Sequence, residues 1–273
     1  LVKYLLKRTN FKIISLDNYS TGKIKNHINH KNAKYIKGEN INISKILDKY
    51  KKKIKVIFHF GEFSRIYQSF LNPKLCLDNN INNSFEVINF AKENKIKIIY
   101  SATSSALGNN GQDENESPYT WAKSKNIELI KNYSKWFGLK YELVYFYNVY
   151  GPGQILNGSM AAVIGIFETQ FRKKKPLTVV KPGSQRRDFT HISDIVRGCY
   201  LAMTKGKQNE YMLCTNKTYS ILQIVKIFNT KYKFLKSRPG DRFGSTTLNN
   251  NAKTILGFQA KIDVKEYIKI LIR

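Results

Sequence analysis

Thr103, Tyr119 and Lys123 are the residues of this 273-residue chain whose types and spacing could do proton chemistry. Pro118 is suited to open a helix, and from there Tyr119 and Lys123 fall one turn apart on the same face. An ammonium beside a phenol favours the phenolate, so a group that ordinarily ionises near pH 10 can serve as a base near neutrality. Thr103 follows Ser101-Ala102 at the end of an apolar run that reads as a strand, where its hydroxyl could bond the same substrate oxygen. Together the three suit an alcohol–ketone interconversion. Spacing alone does not single them out, because Tyr-x-x-x-Lys occurs three times, at Tyr19/Lys23, Tyr119/Lys123 and Tyr232/Lys236. Tyr19/Lys23 spans a Ser-Thr-Gly turn, and Tyr232/Lys236 has no Ser/Thr strand end before it.

The elements that must position Tyr119 are legible in the hydrophobic pattern. Phe11–Leu16, Ala33–Ile36, Val56–Phe60, Ile96–Tyr100 and Tyr141–Phe146 read as buried strands, with Cys76–Asn94 and Pro118–Phe137 as helices between them. Such alternation predicts an α/β fold, a doubly wound parallel sheet of the Rossmann type, in which ligands collect at the carboxyl ends of the strands. Polar residues fall at those ends in order: Asp17-Asn18, Gly61, Ser101-Ala102-Thr103 and Tyr147-Asn148. A carboxylate at the first of these suits adenosine ribose hydroxyls, and Gly61 lets backbone approach a cofactor. After Gly151-Pro152-Gly153 the pattern loosens. Met160–Phe171, Ser193–Met203 and Tyr219–Phe228 read as helices, and Leu177–Val180 and Asp188–Thr190 as short strands. We expect residues 1–155 to form the cofactor-binding domain and 156–273 mainly a smaller substrate-binding lobe, with 187–205 packing back onto the first.

Composition narrows the classes. The net charge is +28, but the lysines run from end to end with short clusters only at Lys51–Lys53 and Lys173–Lys175. No zinc-finger spacing or aromatic RNA-binding motif accompanies them, so nucleic acid is not the expected partner. The positive field suits an anionic small substrate instead. No apolar run reaches membrane-span length and no signal peptide is visible, which predicts a cytoplasmic protein without a membrane partner. Cys76, Cys199 and Cys214 are odd in number and lack metal-ligand spacing. They read as reduced thiols, and no metal site is expected. His59 and His191 read as structural.

The motifs as a set resemble the extended short-chain dehydrogenase/reductase superfamily. Within it the nucleotide-sugar epimerases and dehydratases are nearest, the UDP-glucose 4-epimerase-like members most of all. The resemblance is carried by Ser15-Leu16-Asp17-Asn18-Tyr19-Ser20-Thr21-Gly22, Phe58-His59-Phe60-Gly61 and Asp78-Asn79-Asn80-Ile81-Asn82. It continues through Tyr119-x-x-x-Lys123, Tyr147-Asn148-Val149-Tyr150-Gly151-Pro152-Gly153-Gln154, Arg187-Asp188-Phe189-Thr190-His191 and Arg238-Pro239-Gly240-Asp241.

That resemblance implies NAD as cofactor, a nucleotide-diphosphate sugar as substrate and a homodimer. It assigns Asp17, Asn18, Glu39, Phe60, Gly61, Ser64, Asn79 and Ser101 to the cofactor, with Tyr119 and Lys123 shared between cofactor and catalysis. Thr103 completes the catalytic set, and Asn148, Arg187 and Arg238 look like substrate ligands, the arginines suited to fork-shaped bonding of phosphate oxygens. Arg65, beside the cofactor segment, is a weaker candidate. The implied reaction is a reversible oxidation. Tyr119 removes a hydroxyl proton while the carbinol hydride passes to NAD, and the keto-sugar then takes the hydride back on its other face. Family dehydratases follow the Ser/Thr with Asp-Glu, and decarboxylases keep a Glu there. Here Ser104-Ser105 stand in those places, which favours epimerisation at C4 of a UDP-hexose. A dehydratase or reductase of the same family, or a non-catalytic binding protein on this fold, are the alternatives. Leu107, Tyr145 and Glu62 replace a common Tyr, a common Arg and a usual small residue. The glycine-rich strand–turn–helix expected before Asp17 is not in the sequence, and Leu1–Lys7 reads as the tail of its helix, so the expectation is of an N-terminally truncated chain.

Overall fold

The computed structural model describes residues 1–107, 113–241, 243–244 and 247–273; the polar stretch at 108–112 lies outside the described residues. In chain order the first part comprises α1 (Val2–Arg8), β1 (Ile13–Asp17), β2 (Ala33–Lys37), α2 (Ile43–Leu47), β3 (Val56–His59), α3 (Ile66–Leu71), α4 (Pro73–Leu77), α5 (Asn83–Glu93), β4 (Lys97–Thr103), α6 (Pro118–Phe137) and β5 (Tyr141–Phe146). There follow α7 (Val163–Arg172), β6 (Leu177–Val180), β7 (Arg186–Asp188), α8 (Ile192–Lys205), β8 (Glu210–Leu213), β9 (Thr218–Ser220), α9 (Ile221–Phe228), β10 (Tyr232–Leu235), α10 (Asn251–Thr254) and α11 (Val264–Ile272).

Strands β3, β4, β5 and β8 form one parallel sheet in that spatial order, and β1 pairs with β2, also in parallel. Strand side chains alternate between faces, and here both faces are buried. Ile98, Tyr100, Ala102, Leu143 and Tyr145 pack with Val87 and Ile88 of α5 and Ile127 and Ile130 of α6. Ile99 and Val144 point the other way, against Ile195, Cys199 and Ala202 of α8. The sheet is therefore covered by helices on both sides, as a βαβ connection requires. A further core gathers Phe167 of α7, Leu177 and Val179 of β6, Ile224 and Phe228 of α9, and Ile268 of α11.

Several expected elements shift at their ends: the short strand expected at Asp188–Thr190 lies at Arg186–Asp188, and Tyr219 and Ser220 belong to a strand and not to the helix that follows. Two further differences shape the site. β4 runs to Thr103 rather than stopping at Tyr100, because pairing with β5 continues to Thr103 opposite Phe146. Tertiary pairing here overrides weak local propensity. The helix expected over Cys76–Asn94 starts earlier, at Pro73, and is interrupted by a wider π turn at Asp78–Asn82. The run Asp78-Asn79-Asn80-Ile81-Asn82 is poor in helix formers. The turn accompanies a buried use of Asn80, whose Oδ1 accepts from Phe63 N (2.7 Å) and whose Nδ2 donates to Phe63 O (3.0 Å). α6 has its expected bounds. Ser117 Oγ accepts from Thr120 N (3.1 Å), Pro118 occupies the first turn, and Gly138 closes the helix at φ +70°.

Asp188 secures the end of β7. Its buried carboxylate accepts from Thr215 N (3.1 Å), Thr215 Oγ1 (2.9 Å) and Lys217 N (3.2 Å). Asp188→Ala strands these donors, and we expect it to lower unfolding free energy by about 2–3 kcal/mol. Urea denaturation gives the value, and a loss below about 0.5 kcal/mol would contradict this role.

Candidate active site

Helix α6 turns Tyr119, Lys123 and Asn126 inward on one face, and all three are buried. The first turn of α6 is anchored from α3, whose Ser69 Oγ accepts from Tyr119 N (3.3 Å). Across from it, at the end of β4, Thr103 is also buried, and its Oγ1 accepts from Ser105 N (3.1 Å). Ser104 and Ser105 lie buried in the turn that follows.

The Lys123 ammonium bonds Glu62 Oε2 and the backbone oxygen of Ser101, with Ser101 Oγ at 3.3 Å. It also lies 4.4 Å from the centre of the Tyr100 ring. Glu62 was noted in the sequence only as a departure from the family pattern; here it is a buried hub. Its Oε1 accepts from Ser84 Oγ (2.8 Å), Tyr100 OH (2.9 Å) and Asn126 Nδ2 (3.1 Å). Burial would raise this carboxyl, but Lys123 and His59 outweigh it and hold Glu62 below the usual carboxylate range. Burial drives Tyr100 well above the usual phenol range, with Glu62 adding to the shift. Sequence reasoning also passed over Asn126. Its position seven residues after Tyr119, on the same helical face, was the available signal.

His59 is buried and shares a 2.9 Å hydrogen bond with Ser84 Oγ. Burial lowers both His59 and His191 from the usual 6.5, more than nearby carboxylates restore. A folded-state value below the unfolded one means stability present above about pH 6.5 and lost as pH falls through the folded values. The urea midpoint should therefore fall between pH 7 and 5. His191 Nδ1 accepts from Ser193 N at the start of α8 (3.2 Å). His191→Asn keeps an N-cap acceptor and should flatten the slope; an unchanged slope would remove His191 from this account. Burial also raises the three thiols, Cys76 and Cys214 to about 11 and Cys199 to about 12.

At the ends of β1 and β2, Asp17 is exposed and its Oδ1 accepts from Tyr19 N (2.7 Å). Gly22 closes over Asp17, where an added Cβ would lie 3.1 Å from Oδ2. Asn18 Nδ2 donates to Glu39 Oε2 (3.1 Å). After β3, Phe60 packs edge-on against Phe146, Ser64 is exposed, and Gly61 O accepts from Asn40 Nδ2 (2.8 Å). A Cβ on Gly61 would meet that amide at 2.9 Å. Asn79 spends its amide on Leu75 O (2.8 Å), whereas the neighbouring Asn80 pins Phe63.

Asn148 Nδ2 donates to Asp188 O (2.9 Å), beside Arg187. Arg187 is buried and pairs with Asp241 (2.6 Å); burial pulls its guanidinium down and Asp241 counters. Arg238 is exposed and lies 4.9 Å over the Tyr67 ring of α3. Gly240, at φ +70°, sits so close to α3 that a Cβ would lie 2.7 Å from Ile66. Thus α3 links the Arg238 loop to the Tyr119 end of α6. Arg65, at the start of α3, donates to Met160 O (2.9 Å) and lines a cleft of about 210 Å³ with Val149, Gly151 and Gln154.

The model of the NAD dependent epimerase/dehydratase family matches residues 1–214. The chain belongs to that family. A putative UDP-glucose 4-epimerase of Methanocaldococcus jannaschii is 28% identical over 281 residues, covering 97% of this chain and 90% of the relative. The UDP-glucose 4-epimerase of Thermotoga maritima, solved with UDP-glucose, superposes with a TM-score of 0.91 at 24% identity, over 99% of this chain and 92% of that one. The Thermus thermophilus UDP-glucose 4-epimerase, solved with NAD, gives a TM-score of 0.88 at 20% identity, over 99% and 93%. These two likenesses show the shared fold. The family's cofactor is NAD, and the chain fits it. The exposed Asp17 carboxylate, with Gly22 against it, suits a ribose, and Gly61 and the buried Ser101, which Lys123 of α6 bonds, lie at the ends of the neighbouring parallel strands β3 and β4. No helix of the described residues is long and apolar enough to cross a membrane.

Proposed function

We propose that this protein is an NAD-dependent nucleotide-sugar epimerase acting at C4 of a UDP-hexose through a transient keto-sugar. Tyr119 takes the C4 hydroxyl proton, and Lys123 holds the nicotinamide ribose and supports the phenolate. Thr103 donates a hydrogen bond to the developing carbonyl oxygen. NAD, when bound, supplies the hydride acceptor and later donor. Asp17, with Asn18 and Glu39, takes the adenosine ribose end. Phe60, Gly61, Ser64, Asn79 and Ser101 line the rest of the cofactor, and Asn148, Arg187 and Arg238 hold the substrate diphosphate and sugar.

One observation carries the choice of epimerisation. Thr103, buried like Tyr119, is followed by Ser104 and Ser105, both buried and neither able to ionise as a base for removing water. The relative from M. jannaschii, named as a putative UDP-glucose 4-epimerase, supports the same reading. Incubation with UDP-glucose should yield an isomer of unchanged mass whose proton NMR couplings mark an inverted C4. A product lighter by one water would make the enzyme a dehydratase.

We assign residues 1–155 to NAD and 156–273 mainly to the substrate, and place the enzyme in the cytoplasm as a homodimer. Support for the dimer comes from Leu75, Phe85 and Trp121, large apolar side chains left exposed on α4, α5 and α6, helices that pack on one another.

A further inference from the structure

We propose that Glu62 is a positioning residue for Lys123 whose charge offsets the Lys123 ammonium and so favours the oxidised over the reduced cofactor. The proposal rests on the epimerase reading above but goes beyond it, because an acid here is not needed to build the fold's proton-transfer set.

The carboxylate is only 3% exposed, and each oxygen is committed. One takes the Lys123 ammonium; the other takes Ser84 from α5, Tyr100 from β4 and Asn126 from α6. His59 of β3 approaches to 3.9 Å and Cys76 of α4 senses the same charges. Four elements thus converge on one acid. A buried charge so fully bonded is costly to assemble and rigid once made. Asn126 also spans to the backbone oxygen of Asn80, which pins Phe63, so the acid's support continues into the segment expected to line the cofactor.

The charges explain what such an acid does. Oxidation of the sugar carbinol releases a hydride, with its electron pair, to the nicotinamide ring and a proton to Tyr119. With NAD bound, the oxidised nicotinamide would bring a positive charge into a site that already holds the Lys123 ammonium, and the reduced ring would be neutral. Arg65, half-buried and in the field of Tyr119, adds a further positive charge. Glu62 offsets the Lys123 charge in both states. Without Glu62 the surplus positive charge would rise by one in a buried site, where charge is poorly screened, and that disfavours the oxidised nicotinamide relative to the reduced.

The test compares Glu62→Gln with the parent chain. The ratio of NADH to NAD Kd, measured by calorimetry without substrate, should fall about tenfold in E62Q, the effect of one nearby charge. Glu62→Asp keeps the charge and should restore the ratio to within about twofold of the parent. If E62Q does not fold, Glu62→Ala takes its place, bringing in a small residue of the kind the family carries there. A folded E62Q or E62A with the parent's Kd ratio overturns the proposal. The Kd ratio requires no turnover, so a wrong epimerase reading and a wrong role for Glu62 give different results.

Discussion

Replacing Tyr119 with Phe is expected to lower kcat for sugar interconversion by about 10²–10⁴-fold, the range lost with a general base. Stability should hardly change. Tyr119 contributes its backbone N–H to Ser69, a bond that Phe preserves, and the ring keeps its buried place on α6. Affinity for NAD should also survive, because Asp17, Gly61 and Lys123 remain. The variant therefore separates proton transfer from binding. Measured kcat with unchanged unfolding midpoint and Kd is the supporting result, and a Y119F enzyme with near-parent kcat would remove Tyr119 from the chemistry.

Lys123→Met is expected to damage both function and fold. The methionine fills similar space but leaves Glu62 Oε2 and the Ser101 oxygen without their cation. Breaking one side of a buried ion pair costs about 3–5 kcal/mol, because the remaining charge is stranded. Catalysis should fall along with NAD affinity, unlike the Tyr119 variant. The stability deficit should shrink as pH is lowered, since a stranded buried carboxylate can take up a proton. Urea titrations of K123M at pH 5 and pH 8 measure this. A deficit under about 1 kcal/mol at both pH values would show that the pair is not the buried unit described.

Much of the framework was legible because its signals are local. β-branched runs marked β1, β2, β3 and β5 to within a few residues, and Pro118 marked the start of α6. The last residues of β4 were not legible, since their conformation comes from pairing with β5 rather than from Ser101-Ala102-Thr103 themselves. α3 was missed for a related reason: six residues are too few for a clear helical period, and its place depends on α6 and on the 238–241 loop. The site divides in the same way. Tyr119 and Lys123 declare themselves by one helical turn. Glu62 does not, because nothing in Gly61-Glu62-Phe63 reveals that Ser84, Tyr100, Lys123 and Asn126 converge on it from three other segments. Asn80 was not legible either, since its hold on Phe63 comes with the π turn and not from its neighbours in sequence.

The hydrogen on C4 is expected to leave as a hydride and to return to the same carbon through an enzyme-bound cofactor. UDP-glucose carrying deuterium at C4 tests this in ordinary water. The 4-epimer should form with the deuterium still on C4. Loss of the label to solvent during epimerisation would mean that the carbon is deprotonated instead, and would contradict the mechanism assigned to Thr103, Tyr119 and Lys123.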